Sequence, residues 1–269
     1  MKPQESKVIS FNRKIHETAI VHSGAKIGPN VEIGPYAIVG ENVEIGDGTV
    51  VGPHAVLDGW TVIGKNNKIY AGAAIGADPQ DLKFQGEKSY LFIGDYNIIR
   101  EYATISRGTE GGGGETRIGN NNLFMAYTHV AHDCQVGNHV IMSNSSALAG
   151  HVTVEDRVVI GGLAGVHQFC KVGRMAMIGA HTVIVKDVPP YVIVDGNPAK
   201  VFGINIVGLR RNGVTPEARA EIKKGYKILY RSNLNVTQAI EQMEQELPGI
   251  AEIDHFIRFI RSAERGICR

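Results

Sequence analysis

Residues 15–76 read IHETAIVHSGAKIGPNVEIGPYAIVGENVEIGDGTVVGPHAVLDGWTVIGKNNKIYAGAAIG, and a step of six through them lands on an aliphatic side chain every time. The series is Ile15, Val21, Ile27, Ile33, Val39, Ile45, Val51, Leu57, Ile63, Ile69 and Ile75. Glycine often follows, as at Gly28, Gly34, Gly40, Gly46, Gly52, Gly64 and Gly76. A period of six fits neither a helix at 3.6 nor a lone strand at 2. It fits a β-solenoid with one hexad per short side and three sides per coil. The aliphatic residue then points inward, and the small residue four places on (Ala19, Ala25, Ala37) fills a corner. Gly and Asn are expected at the tight turns, where φ can be positive.

Outward from this stretch the phase lapses and returns at Ile93, Ile99 and Ile105, then lapses again. It resumes at Ile118 and runs through Phe124, Val130, Val136, Met142, Leu148, Val154, Ile160, Val166, Val172 and Ile178 to Ile184. Two loops are therefore predicted to leave the coil, at 77–92 and 107–117, and ejected loops on a rigid scaffold tend to carry binding residues. Pro189, Pro190 and Pro198 mark a change of pattern. Thr215-Pro216-Glu217 reads as a helix start with proline at the first position. The predicted fold is mainly β: a parallel β-helix of hexapeptide repeats over 15–190, with a C-terminal α-helical domain over 191–269. Helices are expected at 216–232, 236–246 and 249–265. Residues 1–14 read as a polar N-terminal extension.

The composition narrows the function. The chain has 269 residues, 43% hydrophobic and 20% charged, with a formal net charge of +1. That is too hydrophobic for a disordered chain and too neutral for a global field toward nucleic acid or membrane. No apolar run is long enough to span a bilayer, and the first fourteen residues lack the apolar core of a signal peptide. The expectation is a cytoplasmic protein with no nucleic-acid partner and no integral membrane segment. Cys134, Cys170 and Cys268 show no CxxC spacing, which suits a reducing compartment. Cys134 and Cys170 lie two coils apart, roughly 9.6 Å at ~4.8 Å per coil, too far for a disulfide.

Three hexads make a coil of eighteen residues, so residues eighteen apart stack. His132 stacks on Gly150 and Gly150 on Gln168; Asp133 lies under His151, and His167 above Ala149. One strip over three coils thus holds His129, His132, Asp133, Gly150, His151, His167 and Gln168, all expected to point outward. Zinc is a rival use of clustered histidines. A His–Asp pair beside a glycine backbone suits a general base with an oxyanion donor better, and no metal is expected.

Longer runs carry a resemblance: QDLKF (80–84), IREYATISRGT (99–109), HVAHDC (129–134), LAGHV (148–152), GVHQFC (165–170), DVPPYVI (187–193) and FGINIVGLRR (202–211). Together, over residues 15–269, the chain resembles the UDP-N-acetylglucosamine O-acyltransferase family of the hexapeptide-repeat transferases, which performs the first step of lipid A synthesis. The resemblance implies left-handed winding and a homotrimer with sites between subunits. It implies transfer of a (3-hydroxy)acyl group from acyl carrier protein to the glucosamine 3-position of UDP-N-acetylglucosamine. No resident cofactor is implied, since 4′-phosphopantetheine arrives on the carrier. His132 would be the general base, oriented by Asp133, with the Gly150 N–H on the oxyanion. Asp81, Lys83, His129, His151, His167 and Gln168 would hold the sugar and phosphate, Asn205 and Arg211 the nucleotide. Ala180 would limit acyl length. Two positions depart from the family pattern: Val207 where a glutamate is common, and Asn212 where a second arginine would follow Arg211.

Locally basic residues (Arg210, Arg211, Arg219, Lys223, Lys224, Lys227, Arg231) suit an acidic carrier protein. The competing readings are a hexapeptide acyltransferase for another nucleotide-sugar or an amine, and a non-catalytic scaffold β-helix. The related N-acyltransferase carries an extra N-terminal domain, for which hexads starting at Ile15 leave no room.

Overall fold

The structure, a computed structural model, describes residues 14–269. The first strand is Lys14–Ile15, so all of the expected extension except Lys14 lies outside the described residues. Three sheets of eleven, nine and eight strands, parallel except for the final strand of the first, form the sides of a left-handed parallel β-helix. Ile15 pairs with Ile33, Val21's neighbour Ile20 with Ile38, and Ile27 with Ile45, the eighteen-residue register that the hexads require. We call the sides bearing Ile15, Val21 and Ile27 the first, second and third.

Two insertions stretch the register. Ile69 pairs with Ile99, and Thr104 with His129. The loops are shorter than expected because the flanking strands are longer. Ala74–Ala77 and Tyr90–Ile93 bracket the first, leaving 78–89; Thr104–Ser106 and Glu115–Ile118 bracket the second, leaving 107–114. Leu91 and Thr116 also turn inward and are fully buried. They stand two residues before the hexad aliphatic, where a step of six does not look.

The hexad aliphatics fill the prism, from Ile33 to Ile184, as expected. The corner position four residues on is often polar rather than alanine. Thr49, Asn67, Asn97 and Asn122 occupy it and are essentially unexposed. Each satisfies its neighbour: Asn67 Oδ1 accepts from Asn97 N at 2.8 Å, and Asn97 Oδ1 from Asn122 N at 2.9 Å. A buried amide is tolerable only on those terms.

The turn chemistry differs from the expectation of glycine and asparagine. From Asn121 to His181 every sixth residue has positive φ, and the series includes Tyr127, Asp133, His151, Leu163 and Phe169. Left-handed backbone costs a non-glycine residue roughly 1–2 kcal/mol, which the ladder bonds and stacked neighbours on both sides offset. The glycine after the aliphatic serves closeness instead. A Cβ on Gly46 would sit 2.6 Å from the Gly64 carbonyl of the next coil.

The coil continues past residue 190. Val192–Asp195 pairs parallel with Met177–Ile178, and the chain then returns antiparallel along Lys200–Ile204. Four helices follow: α1 (Ile206–Arg211), α2 (Pro216–Arg231), α3 (Val236–Glu246) and α4 (Ala251–Arg261). Thr215 caps α2 by accepting from Ala218 N, with Pro216 next, as expected. The last helix is shorter than the expected 249–265, and α1 was not anticipated. Leu209, Ile222, Leu229, Ile240, Met243, Ile253 and Phe256 form a second core, which reaches the coil at Met175 and Tyr191.

Candidate active site

The corner between the second and third sides gathers the chemistry. Both loops leave the coil there, and the next coils place His132, then Gly150, then Gln168 on the same edge. A Cβ on Gly150 would lie 2.6 Å from His132 Cε1, so the imidazole lies directly over the glycine backbone. Among the described residues no acceptor takes the Gly150 N–H.

His132 Nδ1 is 2.7 Å from Asp133 Oδ2. Asp133 differs from the expectation of an outward, open carboxylate: its side chain is 1% exposed. The second loop folds over it. Thr109 N donates to Oδ1 at 2.8 Å and Thr109 Oγ1 to Oδ2 at 2.7 Å. Thr116 Oγ1 accepts from Asp133 N at 2.8 Å. A carboxylate engaged by three donors persists buried because those bonds replace its hydration. It aligns the imidazole with Nδ1 protonated, which leaves Nε2 as the basic nitrogen. His132, Asp133 and His151 offer ligand-type atoms within 4.8 Å of one another. Both Asp133 oxygens already accept hydrogen bonds, an arrangement suited to orienting a base.

Left-handed corners stack Asp133, His151 and Phe169 in a column. His151 Nε2 is 3.7 Å from Asp133 Oδ2, and its ring stacks on Phe169 at 4.4 Å and 10°. Burial pushes the His151 pKa down, against the pull of Asp133. His129 sits on the adjoining strand, its Nδ1 2.7 Å from Thr104 Oγ1; burial and then His132 lower its pKa. Both rings therefore favour the neutral form, able to donate and accept. His151, Phe169, Thr109, Gly112, Asp81 and Lys83 line a cleft of ≈ 530 Å³. His167 and Gln168 are exposed beyond it on the next coil, with His167 Nδ1 3.1 Å from the Gln168 carbonyl.

Three expected site residues lie elsewhere. Asn205 is buried as the N-cap of α1: Oδ1 accepts from Gly208 N and Nδ2 donates to the Met175 carbonyl. Helix start and coil thus each claim one bond of the amide, which keeps a second lone pair on Oδ1 and a second proton on Nδ2. Arg211 ends α1 and is exposed, beside Asn212, which accepts from Arg157 Nη1 at 2.7 Å. Arg157 and Met175 place these residues at the corner between the third and first sides. Ala180 is exposed at the remaining corner, between the first and second.

The sequence reading missed Thr109, Phe169 and Arg107. Thr109 lies in the IREYATISRGT run, without a hexad phase to flag it. Arg107 is buried, pairs with Asp78, donates to the Gly76 carbonyl at 3.1 Å and lies 5.3 Å from the Phe84 ring. It pins the loop that carries Asp81 and Lys83.

This edge and its loops match known proteins over nearly the whole chain. Residues 187–268 match the family model described as UDP N-acetylglucosamine O-acyltransferase, domain 2. Four stretches (14–46, 24–59, 42–77 and 115–150) match the bacterial transferase hexapeptide model. An acyl-[acyl-carrier-protein]–UDP-N-acetylglucosamine O-acyltransferase of Anaeromyxobacter dehalogenans is 53% identical over 255 residues, 95% of this chain and 99% of that one. The Xylella fastidiosa protein of the same name is 50% identical over 256 residues, 95% and 97% of the two chains. The solved structure of LpxA from Acinetobacter baumannii superposes with a TM-score of 0.92 at 46% identity, covering 95% of this chain and 99% of that one. With that identity, coverage and shared coil, the chain belongs to the UDP-N-acetylglucosamine O-acyltransferase family.

Proposed function

We propose that the chain transfers a (3-hydroxy)acyl group from acyl carrier protein to the 3-hydroxyl of UDP-N-acetylglucosamine, the first step of lipid A synthesis. The observation that carries this reading is the buried Asp133 holding His132 over the Gly150 backbone. A sugar hydroxyl is a poor nucleophile until a base takes its proton as it attacks. His132 Nε2 would take that proton while the 3-oxygen attacks the thioester carbon. The Gly150 N–H would receive the tetrahedral oxyanion. Collapse would expel the carrier's 4′-phosphopantetheine thiolate, to which His132 returns the proton. No resident cofactor enters the step.

Lys83 and Asp81 would meet the phosphate and sugar from the first loop, with His129, His151, His167 and Gln168 around the acceptor. Arg211 and Asn205 would serve the nucleotide and Ala180 the acyl terminus. Their separation from His132 within one chain supports a homotrimer, in which a neighbour brings its own corners to the site. The basic start of α2 supports docking of the acidic carrier. We place the reaction in the cytoplasm; no helix of the described residues is long and apolar enough to cross a membrane. We also propose that the coil is the catalytic unit and the C-terminal helical domain the carrier-docking one.

Mass spectrometry of products from UDP-N-acetylglucosamine and a ladder of acyl carrier protein thioesters tests the reading. An ester on the 3-oxygen is expected, and His132→Ala should lower kcat at least about 100-fold, a usual size for losing a general base. Near-normal turnover by folded His132→Ala removes the base role. Product only with a 3-amino acceptor would replace ester by amide formation.

A further inference from the structure

We infer that Thr109, from the second ejected loop, is a positioning residue that sets the tautomer of His132 through Asp133. The inference rests on the proposed role of His132 for its kinetic part only. Its core is a directed chain of hydrogen bonds. Gly112 N donates to Thr109 Oγ1 at 3.1 Å, which occupies a lone pair of the hydroxyl. The single hydroxyl proton is then turned to Asp133 Oδ2, 2.7 Å away. The same oxygen receives His132 Nδ1 at 2.7 Å, while Thr109 N donates to Oδ1.

An ionised carboxylate is acceptor only, so every neighbour must present a proton. Thr109 fills one oxygen and shares the other, which leaves His132 Nδ1 a single fitting state, protonated. The acceptor nitrogen Nε2 is thereby the one left free. Without the hydroxyl, Asp133 Oδ2 has an open lone pair and freedom to rotate about its side chain. His151 Nε2, 3.7 Å away, then competes for it. The loop's fit is close as well: a Cβ on Gly112 would fall 2.1 Å from Asp133 Cγ. Thr109 itself is buried, so no solvent substitutes for its hydroxyl.

The distinguishing pair is Thr109→Val, which keeps shape and the backbone donor but deletes the hydroxyl, and Thr109→Ser, which restores it. With nitrogen-15-labelled histidine, NMR should show His132 as the Nδ1–H tautomer in wild type and Thr109→Ser, and a tautomer mixture in Thr109→Val. This reading requires no activity and so stands apart from the proposed reaction. In turnover, Thr109→Val should lose about ten-fold in kcat with KM for the nucleotide sugar unchanged, the scale of one hydrogen bond to a charged group. Thr109→Ser should stay within about two-fold of wild type, since it keeps the hydroxyl bond. An unchanged His132 tautomer in Thr109→Val overturns the proposal, as does equal loss in both variants.

Discussion

His129 shows how much one side chain's surroundings decide. Its ring is held against Thr104, and burial with His132 nearby lowers its pKa below the ordinary 6.5. The unfolded chain therefore takes up this proton before the folded one. Stability from this group is full above about pH 6.5 and is lost as pH falls toward the folded pKa. The denaturation midpoint of the wild type should drop between pH 7.5 and pH 5, and His129→Gln should drop less. Parallel curves for the two proteins would show that His129 contributes nothing to the acid loss. At this scale, stacking by eighteen found His132, Asp133 and Gly150 because solenoid register is carried by the sequence itself. It could not find that Asp133 is buried. The cover comes from Thr109, in a loop whose path no periodicity encodes.

The corners between strands carry more structure than their composition suggests. Glycine was expected where φ is positive, yet His151 and Phe169 hold such positions and stack there. Glycine's frequency instead records how closely coils approach, which a single-sequence period does not separate from turn chemistry. The inward corner position was legible as small but not as polar. Asn97 illustrates the difference, since it donates Nδ2 to Asn67 Oδ1 and to the Gly119 carbonyl and accepts from Asn122 N. Asn97→Ala would leave the Asn122 N–H and the Gly119 carbonyl without these partners at a buried site. Each unsatisfied buried group costs about 1–3 kcal/mol. Equilibrium denaturation in urea should show a loss of at least that size, with the midpoint lowered and the slope kept. A loss under about 0.5 kcal/mol would mean that the ladder relaxes and re-pairs.

Across the whole molecule, the three corners divide the proposed labour. His132 and both loops share one edge, Asn205 and Arg211 stand at a second, and Ala180 at the third. An acyl chain held between subunits would most simply run along the helix axis from His132 toward the C-terminal coils. Ala180 lies two full coils and two further sides beyond His132, so the width of a sheet separates them within one chain. Hexad counting gives height along the prism faithfully, and which edge follows only when the count is taken modulo a coil. An acyl chain leaving His132 can reach an Ala180 only if a neighbouring subunit turns its own corner toward the groove. In that arrangement Ala180→Met fills the groove's end by roughly one coil height, ~4.8 Å. A methylene advances roughly 1.3 Å from bonds of about 1.5 Å. The preferred thioester should then shorten by about four carbons, because overfilling a packed groove is costly. Competition among carrier thioesters of graded length reads the shift directly, and kcat on the shortest chains should change little. A length profile identical to wild type would place the acyl terminus away from Ala180 and with it the neighbour's corner.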